Sequence, residues 1–209
     1  MIEPASIIPT PRESALAFTD GSKAGWITSD LVTWMQHHLI APGRFHTSDG
    51  DTQNVFEHGF GCLTVNRSLS GAHAFHSRKT SEVPGLVATA RDRILHVLRV
   101  TVRTGETGFV NAALYEGRVS RERGTKGKSV WHACVSENDA LSDQVLALFA
   151  ADALTNPSDY ESGIAVCDVC GVVSFLNGAV SRYGCASHPY GSFDGKPSDI
   201  VQPRVYSRG

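Results

Sequence analysis

A chain of 209 residues has room for one full domain with an appendage, or for two small domains. Hydrophobic residues at 41% and charged residues at 19% exclude a disordered chain, and a formal net charge of −2 excludes global attraction to nucleic acid or anionic membrane. No stretch approaches the roughly 18 consecutive apolar residues of a membrane span. Met1 to Pro11 shows neither the positive start nor the apolar run of a signal peptide, so the expected location is cytoplasmic.

Residues 1–14 carry prolines and no periodicity, and are expected to form a flexible N-terminal arm. Leu16–Thr19, Asp20-Gly21-Ser22 and Ala24–Thr28 read as a hairpin turned at Asp-Gly. Ser29 or Asp30 then caps a helix with Leu31, Val32, Met35 and Leu39 on one face, ended by Pro42-Gly43. After a polar loop, strands are expected at 59–66 and 71–78. Ser81 and Pro84 announce a helix in which Leu86, Ala90, Ile94 and Leu98 recur every four residues.

Near residue 97 the pattern becomes double, because Leu98, Val100 and Val102 also alternate. Strands are therefore expected at 97–103, 108–116 and 129–136, with a turn at Thr104–Gly108 and a polar excursion at Val119–Lys128. Asn138 and Asp139 cap a last helix carrying Leu141, Val145, Leu148 and Phe149, and Asn156–Asp159 reads as a boundary. Helices interrupting runs of strands point to the α+β class, an antiparallel sheet with two to three helices over 15–157. A small C-terminal segment, 158–209, follows and ends in an extended tail.

Five cysteines is an odd count; Cys62 and Cys134 stand alone in apolar stretches and read as core residues. The other three cluster. Cys167-Asp168-Val169-Cys170-Gly171 is a thiol pair at two-residue spacing followed by a glycine suited to a tight turn. Val172–Leu176, an Asn177-Gly178 turn and Ala179–Tyr183 read as a hairpin, and Cys185-Ala186-Ser187-His188 repeats the two-residue spacing. In a reducing compartment such clustered thiols are metal ligands rather than disulfide partners.

This knuckle, hairpin and second knuckle resemble a zinc ribbon of the three-cysteine, one-histidine kind over residues 164–190. The resemblance implies a structural Zn2+ held by Cys167, Cys170, Cys185 and His188, with no coordination position left for water. The zinc-deaminase signature is absent, since no His-x-Glu occurs and Ala165-Val166 precede Cys167.

Weaker signals lie elsewhere. Arg118, Arg121, Arg123, Lys126 and Lys128 give the 118–128 excursion a basic character, and Arg182 adds a charge on the ribbon. They form either a solvated hairpin tip or a phosphate-contacting loop. Of the nine histidines, His37 and His38 suit a helix C-terminus, while His73 and His76 point to opposite faces of a strand. No G-x-S-x-G, H-E-x-x-H or P-loop occurs. The leading expectation is a non-enzymatic, intracellular, zinc-binding regulatory or adaptor protein with a protein partner. Nucleic-acid binding through the basic loop and ribbon face is the alternative, and an enzyme drawing on Asp92, His58 or His132 the third.

Overall fold

The computed structural model describes residues 8–46, 82–123, 129–136, 139–175 and 182–188. The predicted strands at 59–66 and 71–78, His58, His73, His76, Cys62, Lys126, Lys128, the Asn177-Gly178 turn and the tail from 189 lie outside the described residues.

Among the described residues the α+β class holds, but helix outweighs strand. Helix α1 is Pro11–Gly21, where a hairpin was expected, and it takes in the last residues of the predicted arm. Its start is a capping box with proline in the first turn. Thr10 Oγ1 accepts from the Glu13 amide at 3.2 Å, and the Glu13 carboxylate accepts from the Thr10 amide at 2.7 Å. The hydrogen bonds that the Thr10 amide and then the Thr10 hydroxyl donate to it hold the Glu13 carboxyl below its ordinary pKa. Gly21 marks close approach rather than a turn: a Cβ there would sit 2.4 Å from the Trp26 ring.

Helix α2, Thr28–Met35, starts where the Asp30 carboxylate accepts from the Ile27 amide at 3.0 Å, and widens into a π-turn over Gln36–Ile40. Helix α3, Val83–Thr104, runs through the expected strand at 97–103. Burial decides between the two periods. Ile94, Leu95, Leu98, Thr101 and Val102 are buried, a helical stripe, whereas Val100 is 42% exposed. The predicted turn at Thr104–Gly108 is present but joins two helices, with Gly105 in the left-handed region closing α3. The expected strand 108–116 is helix α4, Gly108–Tyr115, which buries Phe109, Val110 and Ala113.

The strands of the described residues form three two-stranded pairings. Strand β1, Phe45–His46, pairs in parallel with β4, Val135–Ser136. Strands β2, Val119–Arg123, and β3, Ser129–Ala133, form an antiparallel hairpin, so the expected strand 129–136 is divided between β3 and β4. Strands β5, Ile164–Val166, and β6, Val173–Phe175, flank the first knuckle.

The last α-helix, α5 (Leu141–Thr155), is central. Twelve of its 15 residues are buried, and it packs against α1, α3, α4 and β3. Its amino end is not capped by Asp139; that carboxylate accepts instead from the Ser136 amide at 2.7 Å. The apolar core runs from Ala15 and Phe18 of α1 through α5 to Ile164, Val166 and Val173 beside the first knuckle.

Asp152, which interrupts the apolar stripe in sequence, is buried in α5 and carries the main polar knot. It accepts from Arg12 Nε at 2.7 Å, Tyr160 Oη at 2.9 Å and Asn156 Nδ2 at 2.8 Å. The Arg12 guanidinium also reaches Asp159 at 2.6 Å and lies 4.1 Å over the Phe175 ring. Burial, reinforced by the Asp152 charge, pushes the Tyr160 phenol far above its ordinary pKa, so it remains a donor. One side chain of α1 thereby ties together α5, the turn before β5, and β6. Asp152→Ala leaves Arg12 and Tyr160 without their buried acceptor and should cost about 3 kcal/mol, the low end for a broken buried pair because Arg12 is partly exposed. Urea unfolding of the variant measures it.

A second polar cluster fixes the start of α1. Buried Arg44 donates to the Pro9 carbonyl at 2.6 Å, to Ser14 Oγ at 2.8 Å and to the His38 carbonyl at 3.1 Å. The His38 ring stacks on Trp34 and meets Ser14 Oγ at 3.2 Å through Nδ1. Burial first, then the charges of His37 and Arg44, holds the His38 pKa below its ordinary value. The unfolded chain therefore takes up this proton more readily, and the stability linked to neutral His38 is present above pH ~6.5 and lost as pH falls below it. His38→Gln should flatten that part of the stability profile relative to the parent chain, measured by denaturant melts between about pH 5 and pH 7.5.

Candidate metal centre

The chain leaves the core as β5, turns through Cys167–Cys170, and returns as β6, so the first knuckle is the loop of a β5–β6 hairpin. The turn is closed by the Gly171 amide donating to the Cys167 carbonyl at 2.8 Å, and by the Cys167 amide donating to the Val172 carbonyl at 2.9 Å. Gly171 has φ +69°, the left-handed region in which a side chain is strained. A Cβ there would also stand 2.7 Å from Leu95 Cδ1, so this knuckle needs glycine for both conformation and space.

The second knuckle is tied to the same hairpin. The Val166 amide donates to the Arg182 carbonyl at 3.0 Å and the Asp168 amide to the Tyr183 carbonyl at 3.1 Å. Strand β5 is therefore flanked on one side by β6 and on the other by residues 182–183. Of the expected hairpin of 172–176 with 179–183, the described parts Val173–Phe175 and Arg182–Tyr183 bond to β5 and its knuckle, while 176–181 lie outside the described residues. Cys185 and His188 then exchange backbone hydrogen bonds at 2.9 and 3.0 Å, closing a turn that aims both side chains one way.

All four predicted ligands converge. Their donor atoms lie within 4.8 Å of one another. Cys170 Sγ is 3.6 Å from Cys185 Sγ, and His188 Nδ1 is 3.4 Å from Cys185 Sγ and 3.8 Å from Cys167 Sγ. A tetrahedral ion with bonds of about 2.3 Å to sulfur and 2.0 Å to nitrogen needs edges of about 3.8 Å between sulfurs and 3.5 Å between sulfur and nitrogen. Three of the six edges, at 3.4, 3.6 and 3.8 Å, lie close to these values, and a sulfur separation of 3.6 Å is far from a disulfide bond. Cys167 is fully buried, Cys185 nearly so, and Cys170 and His188 are half-buried.

Helix α3 supplies a brace that sequence reasoning missed. Arg91 Nη2 donates to the Cys170 carbonyl at 3.4 Å, and Arg99 Nη2 to the Cys167 carbonyl at 3.3 Å. Arg99 Nε also faces the Asp168 carboxylate at 3.6 Å, while Arg91 Nε donates to the Thr19 carbonyl at the end of α1. Arg91, Leu95 and Arg99 are spaced by four, one face of α3, and that face meets the first knuckle at both of its cysteine carbonyls and at Gly171. The two guanidiniums bring positive charge towards a site of three sulfurs.

The residues considered for nucleic-acid contact are dispersed in role. Arg118 is turned inward, paired with Glu116, with Asp139 at 2.6 Å and with Asp143 at 3.6 Å. Arg182 is half-buried and its Nε donates to the Ile164 carbonyl at 3.3 Å. Arg121 is exposed on β2 and bonded to Ser129 Oγ, and Arg123 ends that strand. His132 lies across the hairpin from Glu122 at 3.4 Å, and Cys134 is half-buried. Among the described residues no other histidine, cysteine or acidic group joins a metal-like cluster. No helix of the described residues is long and apolar enough to cross a membrane.

No protein-family model, curated protein or solved structure matches this chain. The case for function rests on the site itself.

Replacing Arg91 and Arg99 together by alanine leaves all four ligands in place but removes the groups that orient the first knuckle. Metal affinity should fall by about 10-fold or more, the usual cost of losing outer-shell support. Competition titration against a chromogenic chelator reads it directly.

Proposed function

We propose that Cys167, Cys170, Cys185 and His188 hold one structural Zn2+, and that the chain is a non-enzymatic regulatory or adaptor protein of a reducing, intracellular compartment. The observation that carries the metal reading is the convergence of three sulfurs and one imidazole nitrogen within 4.8 Å of one another, with three of their separations close to tetrahedral edges. Three thiolates and an imidazole are soft to borderline donors, the set that suits zinc. Four protein ligands fill a tetrahedral ion, leaving no position at which water or substrate is activated. The metal's contribution is then folding energy, added to the backbone hydrogen bonds at Arg182 and Tyr183, the Arg182 side chain on the Ile164 carbonyl and the packing of Tyr183 on the core.

A role through protein contacts is the reading that such a braced, closed centre favours. Tyr115 at 93% exposure and Leu114 at 41% end α4, and Val169 stands 52% exposed at the tip of the first knuckle. They are the large apolar groups available to a partner at these two points. Nucleic-acid binding is the weaker reading, because Arg118 and Arg182 already serve carboxylates and a carbonyl of their own chain.

Metal analysis of the purified chain should return about one zinc per chain, and the Cys167→Ser and Cys185→Ser variants should lose it. Well under one equivalent, unchanged in those variants, contradicts the metal reading. For the contact role, a partner recovered by affinity capture with the parent chain should be lost with Tyr115→Ala or Val169→Ser; capture indifferent to both removes these surfaces from consideration.

A further inference from the structure

The three sulfurs of the centre are not equivalent, and their inequality has a chemical consequence. Cys167 is fully buried at the end of β5, with its carbonyl held by Arg99. Cys185 is 9% exposed, and Cys170 is the most open of the three. Next to Cys170 stands Val169, exposed at the tip of the knuckle, so solvent reaches the turn from that side. Cys170 and Cys185 belong to different knuckles, and their sulfurs are 3.6 Å apart. Closing to a disulfide of about 2.05 Å needs roughly 1.5 Å of approach, within reach of side-chain rotation and a small shift of the second knuckle.

We infer that Cys170 and Cys185 form an oxidation-sensitive pair, in which a hydroperoxide converts the zinc-bound thiolates to a disulfide and expels the metal. The inference rests on the zinc reading above. The steps balance. The Cys170 thiolate attacks one peroxide oxygen, the O–O bond breaks, and hydroxide leaves, giving a sulfenic acid at Cys170. The Cys185 thiolate attacks that sulfur, the S–S bond forms and the S–O bond breaks, releasing a second hydroxide. Two protons from solvent turn both hydroxides into water. The two thiolates have lost two electrons and the peroxide has gained them. Zn2+, left with Cys167 and His188 alone, dissociates to solvent.

The brace on α3 sets what this does to the fold. Arg91 and Arg99 hold the first knuckle through carbonyls, and neither contact requires the metal as an intermediary. The first knuckle therefore stays seated on α3, while His188 is released at the far end of the second. Oxidation changes the face around His188 and leaves the core in place.

The test uses the full chain with Cys62→Ser and Cys134→Ser, which confines its thiols to the centre. Zinc is measured first in the reduced protein, then hydrogen peroxide is added with a chromogenic zinc reporter present, and the product is digested without reductant for mass spectrometry. The expected result is one zinc released per chain, one Cys170–Cys185 crosslink, and recovery of the bound metal after dithiol reductant and added Zn2+. Zinc absent before peroxide overturns the metal reading and this inference with it. Zinc present and retained under excess peroxide overturns this inference alone, as does release with a crosslink to Cys167 or with no crosslink.

Discussion

The contact on which the rest of the C-terminal architecture depends is the seat of the first knuckle on helix α3. Arg91, Leu95 and Arg99 form one helical face, and each touches the turn that carries Cys167 and Cys170. A two-residue thiol spacing can aim two sulfurs at one point on its own. It cannot fix where that point lies relative to a second knuckle 15 residues further on. Here the two guanidiniums fix the knuckle's carbonyls, and Gly171 closes on Leu95 with no room for a side chain. Strand β5 then presents its other edge to Arg182 and Tyr183, which delivers Cys185 and His188 to the same place.

The knuckle is also joined to the amino end of the chain. Arg91 reaches the last turn of α1 through the Thr19 carbonyl, and Arg12 in the first turn of α1 lies over Phe175 of β6 while pairing with Asp152. Helix α1 thus contacts both the helix that braces the centre and the strand that leaves it. Buried polar pairs of this kind add less net stability than their Coulomb attraction suggests, but they penalise every arrangement that leaves one member unpaired. Their effect here is to select one placement of β5 and β6 on the helical core.

What was legible in the sequence follows from how local each signal is. The four ligands could be named because their spacing and the glycine after Cys170 are local, and the geometry brings all four together. The helical segments were harder. Thr10-Pro11-Arg12-Glu13 is a complete helix start, yet prolines before it suggest an arm, and Asp20-Gly21 imitates a hairpin turn. Leu98, Val100 and Val102 alternate as in a strand; only burial of Thr101 and exposure of Val100 reveal the helical face. Residues 108–116 mislead for the same reason, since Phe109, Val110 and Ala113 make a helical stripe too short to stand out. Arg91 and Arg99 carried no visible mark, because their partners are backbone carbonyls some 70 to 80 residues away. Asp152 looked like a break in a stripe, and its meaning depends on Arg12 and Tyr160.

The central claim is that α3 fixes the first knuckle directly, while the metal fixes the second knuckle to it. Amide hydrogen exchange, recorded with zinc bound and after its removal by a chelator, tests this most directly. The account predicts that protection falls over 182–188, while 164–175 and the 91–99 turns of α3 stay protected. Loss that spreads through 164–175 and into α3 would contradict it.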